Sequence, residues 1–326
     1  MDARNPEQYP ARNRLSSADN SPILSRLPAE PHYQRRDGAM IIGLALLTLG
    51  LAWILVQVVG SRLSPGSQTL FDQIISGRRI EIDAGNADVT IIRWDRSGFR
   101  IQAQRVGWPM GKVDVAVRAD GDTVKVSHRA SCWPFCGEIR YQINAPAAAD
   151  VRVTEVSGNV QIGALDSGIT VNTTSGDVHL GGIGGSLAVN TVSGDVTLRG
   201  RVSNASIRTV SGAIRLSDID GSLAVTTISG AITMHNVAGD TVRLQTTSGK
   251  VHADGALFGH LEIASVSGDV DIRLPPWAGF RLFIKTVSGD IEAPGIKGAP
   301  REWRATIGDG AHVLNIATTS GDVRIR

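Results

Sequence analysis

Charge of one sign is missing from this sequence. Its formal net charge is +2, with acidic and basic residues interleaved. No basic stripe stands out, so no nucleic-acid partner is expected. Cysteine is nearly absent too: Cys132 and Cys136 are the only two. The seven histidines fall at no metal-ligand spacing. A structural zinc on His128, Cys132 and Cys136 would want an adjacent fourth ligand. There is no phosphate loop and no dinucleotide fingerprint. These absences lead to an expectation of no cofactor and no metal.

Ala39 to Gly60 carries no charge, and its polar breaks are Thr48 and Gln57. As a helix it would be about 33 Å long, enough to cross a bilayer. It is apolar all round, unlike a buried soluble helix, and 38 residues precede it, unlike a cleaved signal peptide. The expectation is a signal anchor, with the lipid bilayer as partner through Ala39 to Gly60. Arg35 and Arg36 abut its start, which places the N-terminus inside as a cytoplasmic tail. Residues 1–38 hold six Arg, five acids and five Pro and cannot build a core, so disorder is expected there. Residues 61–74 read as a linker.

What the chain has in quantity is a repeat. Ser-Gly recurs at Ser157-Gly158, Ser175-Gly176, Ser193-Gly194, Ser211-Gly212, Ser229-Gly230, Ser248-Gly249, Ser267-Gly268, Ser288-Gly289 and Ser320-Gly321. The steps are 18, 18, 18, 18, 19, 19, 21 and 32 residues. A step near 18 is too short for a domain and marks one coil of a solenoid, which buries a core only against its neighbours. Two residues after each Gly stands Val or Ile, as at Val160, Val196 and Ile214. Apolar residues also stand four and six before each Ser, as at Val189 and Leu187. Apolar residues two apart and rich in β-branched types read as strands with one buried face.

The fold class expected is therefore all-β: a β-solenoid of about 18-residue coils over 151–326, preceded by one transmembrane helix. Each coil reads as a strand, a Ser-Gly corner, a second strand and a loop such as Asp218 to Gly221. At the corner, Gly would supply a backbone conformation closed to other residues. A hydroxyl stands two before each Ser, from Thr173 to Thr318, with Glu155 the one exception. In stacked coils these hydroxyls would form a column that hydrogen-bonds along the stack. Residues 75–150 read as irregular strands capping the solenoid, with Asn86-Ala87 in place of Ser-Gly. The last coil ends at Arg326 with no evident cap, which raises the possibility of a polymerising scaffold.

The repeated Thr-Val-Ser-Gly-Asp-Val, as at Thr191 to Val196, resembles the bacterial "putative adhesin" family of unknown function. So do the lead-in Ile143-Asn144-Ala145-Pro146 and the closing Thr318-Thr319-Ser320-Gly321-Asp322-Val323. The resemblance covers roughly residues 75–326. It implies a β-solenoid outside the cytoplasm, often tethered by one membrane helix, and no catalytic residues.

Two features carry candidate chemistry. Cys132 and Cys136 close a short loop, and outside the cytoplasm a disulfide between them is the leading reading. Asp follows Ser-Gly at Asp177, Asp195, Asp269, Asp290 and Asp322. Asp177 with Asp195, or Asp269 with Asp290, would lie on adjacent coils, where a carboxylate pair could serve glycoside hydrolysis or Ca²⁺. The competing reading is that Asp is a favourable turn residue after Gly. The function expected is non-enzymatic: an adhesin-like binding or scaffolding module at the cell envelope, possible partners being an envelope glycan or protein, with envelope-stress sensing as a further role. The alternative class is a carbohydrate-active β-helix enzyme using an Asp pair.

Overall fold

The structure, a computed structural model, describes residues 67–107, 111–131, 137–255, 257–296 and 300–326. The chain divides into Met1–Leu63 and Ser64–Arg326. The described residues lie in the second unit and contain strands and no helix. Ala39 to Gly60, Cys132 and Cys136 lie outside the described residues. Among those described, no helix is long and apolar enough to cross a membrane.

Each Ser-Gly repeat forms one coil, and coils stack by parallel pairing at constant register. On the first side Val151, Ile169, Leu187, Ala205 and Leu223 are successive partners. On the second side the row is Val160, Val178, Val196, Ile214 and Ile232. All ten are buried. Alternation fixes this register, because a slip by one residue would turn every aliphatic side chain of a strand to water. Few aromatics are needed in such a core. The three largest fully buried side chains, Tyr141, Phe99 and Phe280, belong to the end regions of the stack.

Where sequence pattern reads a loop, the coil has a third side. It buries one aliphatic residue per turn: Leu165, Ile183, Val202, Ile219 and Val237. Ile219 pairs with Val237, and the strand Ile232–Thr246 runs through this side without a break. A single apolar residue has no alternating partner, so the sequence gives no period to read. The turn from second to third side uses left-handed backbone. Ala164, Gly182, Gly200, Asp218, Asn236 and Gly255 form a column with φ between 51° and 88°. Asp and Asn tolerate this region better than other residues with a Cβ.

The Ser-Gly corner is different. None of its nine glycines has a positive φ. Glycine is required there for close approach between coils. A Cβ on Gly194 would fall on the carbonyl oxygen of Gly176, and one on Gly212 on that of Gly194. The hydroxyl column also differs from expectation. Each buried Thr or Ser accepts the N–H of the Gly three residues on, within its own coil, at 2.9–3.1 Å. The bonds along the stack come from the corner serines. The Oγ of each of the eight from Ser175 to Ser320 donates to a carbonyl of the neighbouring coil at 3.1–3.4 Å. A buried Thr hydroxyl is already within reach of its own Gly N–H. The exposed Ser is left to reach the next coil.

Coil order in space departs from chain order at both ends. The carboxy-terminal coil, His312–Thr318 and Val323–Ile325, pairs on one side with the Ser267 coil and on the other with the Ser288 coil. It is therefore inserted between them. Gly stacking agrees: a Cβ on Gly289 would meet Gly321, and one on Gly321 would meet Gly268. The end coil is the Ser288 coil, and Glu302–Ile307 covers its edge as an antiparallel strand. Arg326 lies inside the stack, donating to Ile272 O at 2.9 Å, so the uncapped last coil expected from sequence is not present.

At the other end, Arg79–Gly85 and Asp88–Trp94 are inserted between the Ser157 coil and the strands Thr123–Ser131 and Glu138–Pro146. The outer edges there are paired antiparallel by Lys112–Asp120 and Phe99–Val106, the latter covered in turn by Ser67–Ile75. Antiparallel covers remove the open edges on which a stack of parallel coils would otherwise add further copies.

Candidate functional site

The aspartates after Ser-Gly have a structural use. The N–H of Asp195 donates to the Asp177 carboxylate at 2.9 Å, and that of Ala213 to the Asp195 carboxylate at 2.8 Å. Asn159 does the same for Asp177 at 3.2 Å. Each side chain satisfies the corner backbone of the next coil. The Arg215 guanidinium, 2.8 Å from Asp195, holds that carboxyl below the usual range, helped by the Ala213 N–H. A general acid would need the opposite shift. Asp269 and Asp290 are not on adjacent coils, because Asp322 stands between them: its N–H donates to Asp269, and its carboxylate accepts from Asp290.

The histidines are dispersed. His235 lies 3.6 Å from Asp254 and His252 lies 3.5 Å from Asp271. Among the described residues no group of three His, Cys, Asp or Glu could hold a metal.

Glu155 occupies the Thr position of the first corner and is 3% exposed. Neither carboxyl oxygen has a hydrogen-bond partner. Burial pushes the group up to about 7, and the charge of Asp88 adds to the rise. The strand Arg79–Gly85 separates Glu155 from His128. The Tyr141 hydroxyl lies 3.1 Å from His128 Nδ1. Burial lowers the His128 ring and raises the Tyr141 hydroxyl, while Asp83 pushes both upward. Sequence reasoning passed over this buried acid. Its only signal is that Glu155 breaks the hydroxyl row.

The outward face of the first side is the broadest candidate for binding. Thr170, Ala188, Ser206 and Ala224 lie along its middle in register. Ser186, Asn204 and Ser222 run on one flank, and Asn172, Asn190, Arg208 and Thr226 on the other. A depression of about 360 Å³ lies toward Arg79, Asp150 and Arg152, and one of about 350 Å³ toward Thr241 and Arg243. Arg243 pairs with Glu262 at 2.8 Å and Arg79 with Asp150 at 3.7 Å, so charge is concentrated at the two ends. Hydroxyls and amides between them both donate and accept hydrogen bonds.

A third depression, of about 280 Å³, lies near the last coils on the same face, among Glu262, Asn315, Ala317 and Phe283. Phe283 is 43% exposed, with the Arg304 guanidinium 5.9 Å from its ring centre.

This architecture has solved counterparts. The chain is similar to a "putative adhesin" from Parabacteroides merdae, with 14% identity and a TM-score of 0.51, over 80% of this chain and 96% of that one. It is also similar to a "putative adhesin" from Parabacteroides distasonis, with 11% identity and a TM-score of 0.48 over 80% and 98%. A "putative lipid binding protein" from the same species has 12% identity and a TM-score of 0.46 over 81% and 97%. At such identities the first likeness shows the fold alone. No curated protein matches. The stacked Ser-Gly coils and the strands that open them fall within a match to residues 77–326, and the chain belongs to the Toastrack DUF4097 family.

Proposed function

We propose that the protein is a non-enzymatic, membrane-anchored binding module at the cell envelope, adhesin-like in role. In this reading Ala39 to Gly60 spans the bilayer, residues 1–38 are cytoplasmic, and the coils stand outside, where an envelope-stress sensor would also need them. The binding surface is the first-side face. The observation that carries the reading is its uncharged middle, Thr170 to Ala224, edged by Ser, Thr and Asn with Arg208 the one charge on the flanks, and closed at both ends by charged pairs. Such a face suits a hydroxyl-rich glycan chain lying across the coils. The corner aspartates support the non-enzymatic side of the reading, since their carboxylates are engaged with backbone N–H groups.

The test is binding of the full chain, held in a nanodisc, to envelope glycans, with and without Ala188→Trp and Ala224→Trp. Bulky rings in the trough are expected to weaken glycan binding at least tenfold with unchanged melting. Equal binding by both variants, or glycan turnover lost in Asp195→Asn, would overturn it. External protease on whole cells checks orientation: Ser67–Ile75 is a paired strand and not the linker expected from sequence, so cleavage is expected ahead of Ser67, and full protection argues the reverse topology.

A further inference from the structure

Between the buried hydroxyl and the serine of each corner sits a residue that points outward. At six corners it is a β-branched aliphatic: Val156, Val192, Val210, Ile228, Val266 and Val287. These six are 41–56% exposed, and threonine holds the other three corners. They make up more than half of the exposed large hydrophobics among the described residues. All lie on one line, with Thr174, Thr247 and Thr319 interposed at the second, sixth and eighth coils of the stack, so this is an aligned ridge and not scattered surface. Nine coils at strand spacing make it about 38 Å long.

The ridge is also rigid. The Val192 carbonyl accepts the Ser211 N–H at 3.0 Å and its Oγ at 3.4 Å, and the Val210 carbonyl accepts both groups of Ser229. Nothing in the packing within a coil needs an aliphatic there, since the residue faces away from the core.

We propose that this ridge is a dimer interface, and that its occupant is the same ridge of a second copy, parallel and related by a twofold axis along the stack. Three features select a second copy. A partner that touches every corner must repeat at the strand spacing of about 4.8 Å, which another copy does at every coil. Ridge and flanking rows together make a strip about 17 Å wide, giving about 1,300 Å² for the pair, within the range of specific interfaces. The flanks are also complementary. One carries Asp177, Asp195, Asp269, Asp290 and Asp322, with Lys250 its single base. The other carries Arg208 and Lys285 among Asn, Thr, Gln and Ala, with no acid. A twofold axis along the stack sets the acidic flank of each copy against the neutral-to-basic flank of the other. An antiparallel pair would set acid against acid, which costs energy.

The test uses the full chain in mild detergent, with Cys132→Ser and Cys136→Ser as background. Val192→Cys, Val210→Cys and Ile228→Cys are each treated with a short bis-maleimide. Each variant alone is expected to give a cross-linked dimer, since each residue faces its own copy, while Thr233→Cys on the second side gives none. Val192→Lys, Val210→Lys and Ile228→Lys combined should weaken dimerisation on the order of 100-fold with unchanged melting. Cross-linking of Val192→Cys only when mixed with Val266→Cys means an antiparallel pair and overturns the proposal. So does a monomeric mass by light scattering at all concentrations. So does a dimer that survives the lysines, or a monomer whose ridge instead drives flotation with lipid vesicles.

Discussion

Replacing Glu155 with Thr restores the hydroxyl that eight of the nine corners use, and it should change how stability depends on pH. The carboxyl is 3% exposed and lacks a hydrogen-bond partner. Burial raises it from an ordinary 4.5 to about 7. That displacement corresponds to about 3 kcal/mol between the protonated and ionised forms. The sign follows from linkage. With a raised folded value, the protonated carboxyl's contribution is fully present below about 4.5, declines as pH rises through about 7, and is flat beyond. His128 acts in the opposite sense, since burial lowers its ring, so the fold loses stability as pH falls below 6.5. The informative quantity is therefore the difference between variant and parent. Glu155→Thr should gain about 3 kcal/mol more at pH 8 than at pH 4.5 in urea unfolding of the full chain. Glu155→Gln should remove the Glu155 part of the pH dependence, leaving that of His128, without restoring the Thr bond. A parent and a Thr variant whose stabilities run parallel from pH 4.5 to 8 would refute the reasoning.

The two glycine columns should respond differently to the same change. Gly194→Ala places a Cβ on the Gly176 carbonyl and should cost more than about 3 kcal/mol, while Gly182→Ala meets no atom nearer than 3.7 Å, strains only its φ of 65° and should cost about 1–2 kcal/mol by thermal melting. Equal costs would contradict the close-approach account. Thr209→Val strands the buried Gly212 N–H and should cost about 1–3 kcal/mol, whereas Ser211→Ala, losing an exposed bond of 3.4 Å, should cost less than half of that. A peptide map of non-reduced protein from its native compartment should show Cys132 linked to Cys136; two freely alkylated thiols would reject the disulfide.

The stacked strands were legible because their signal is local. Val189 and Leu187, or Val196 and Leu198, sit two apart in every repeat, and a solenoid copies that pattern at a fixed step. Other features depend on what lies one coil away. Glycine at the corner reads as a request for unusual φ, yet the demand comes from the carbonyl of the adjacent coil, 18 or 19 residues earlier from Gly176 to Gly268. The real left-handed column, through Gly200, Asp218 and Asn236, hides in the segment that sequence treats as loop. Asp195 reads equally well as a catalytic acid or a turn residue. Only the stacked Ala213 N–H at 2.8 Å decides its use. The binding face is hard to read for the same reason. Thr170, Ala188, Ser206 and Ala224 are 18 residues apart and become a surface only in register.

The insertion at the carboxy-terminal end was the least legible element, and it carries the last prediction. A 32-residue step from Ser288 to Ser320 looks like a loop before one more coil. The extra length instead carries Glu302–Ile307 across the edge of the Ser288 coil and lets His312–Thr318 enter behind it. The Ser288 coil therefore has no direct strand partner in the Ser267 coil. Both its strands, Phe280–Thr286 and Ile291–Glu292, rest on the last residues of the chain. Truncation before His312 should remove two coils and not one. Buried Phe280, Leu282 and Ile284 lose their neighbours, and burial of each contributes roughly 1.5–3 kcal/mol. Limited proteolysis of the truncated chain should then cut throughout 275–307 while 150–265 stays protected. Protection of 280–292 in that chain would mean the Ser288 coil can stack directly on the Ser267 coil, and the insertion would then be dispensable to the fold.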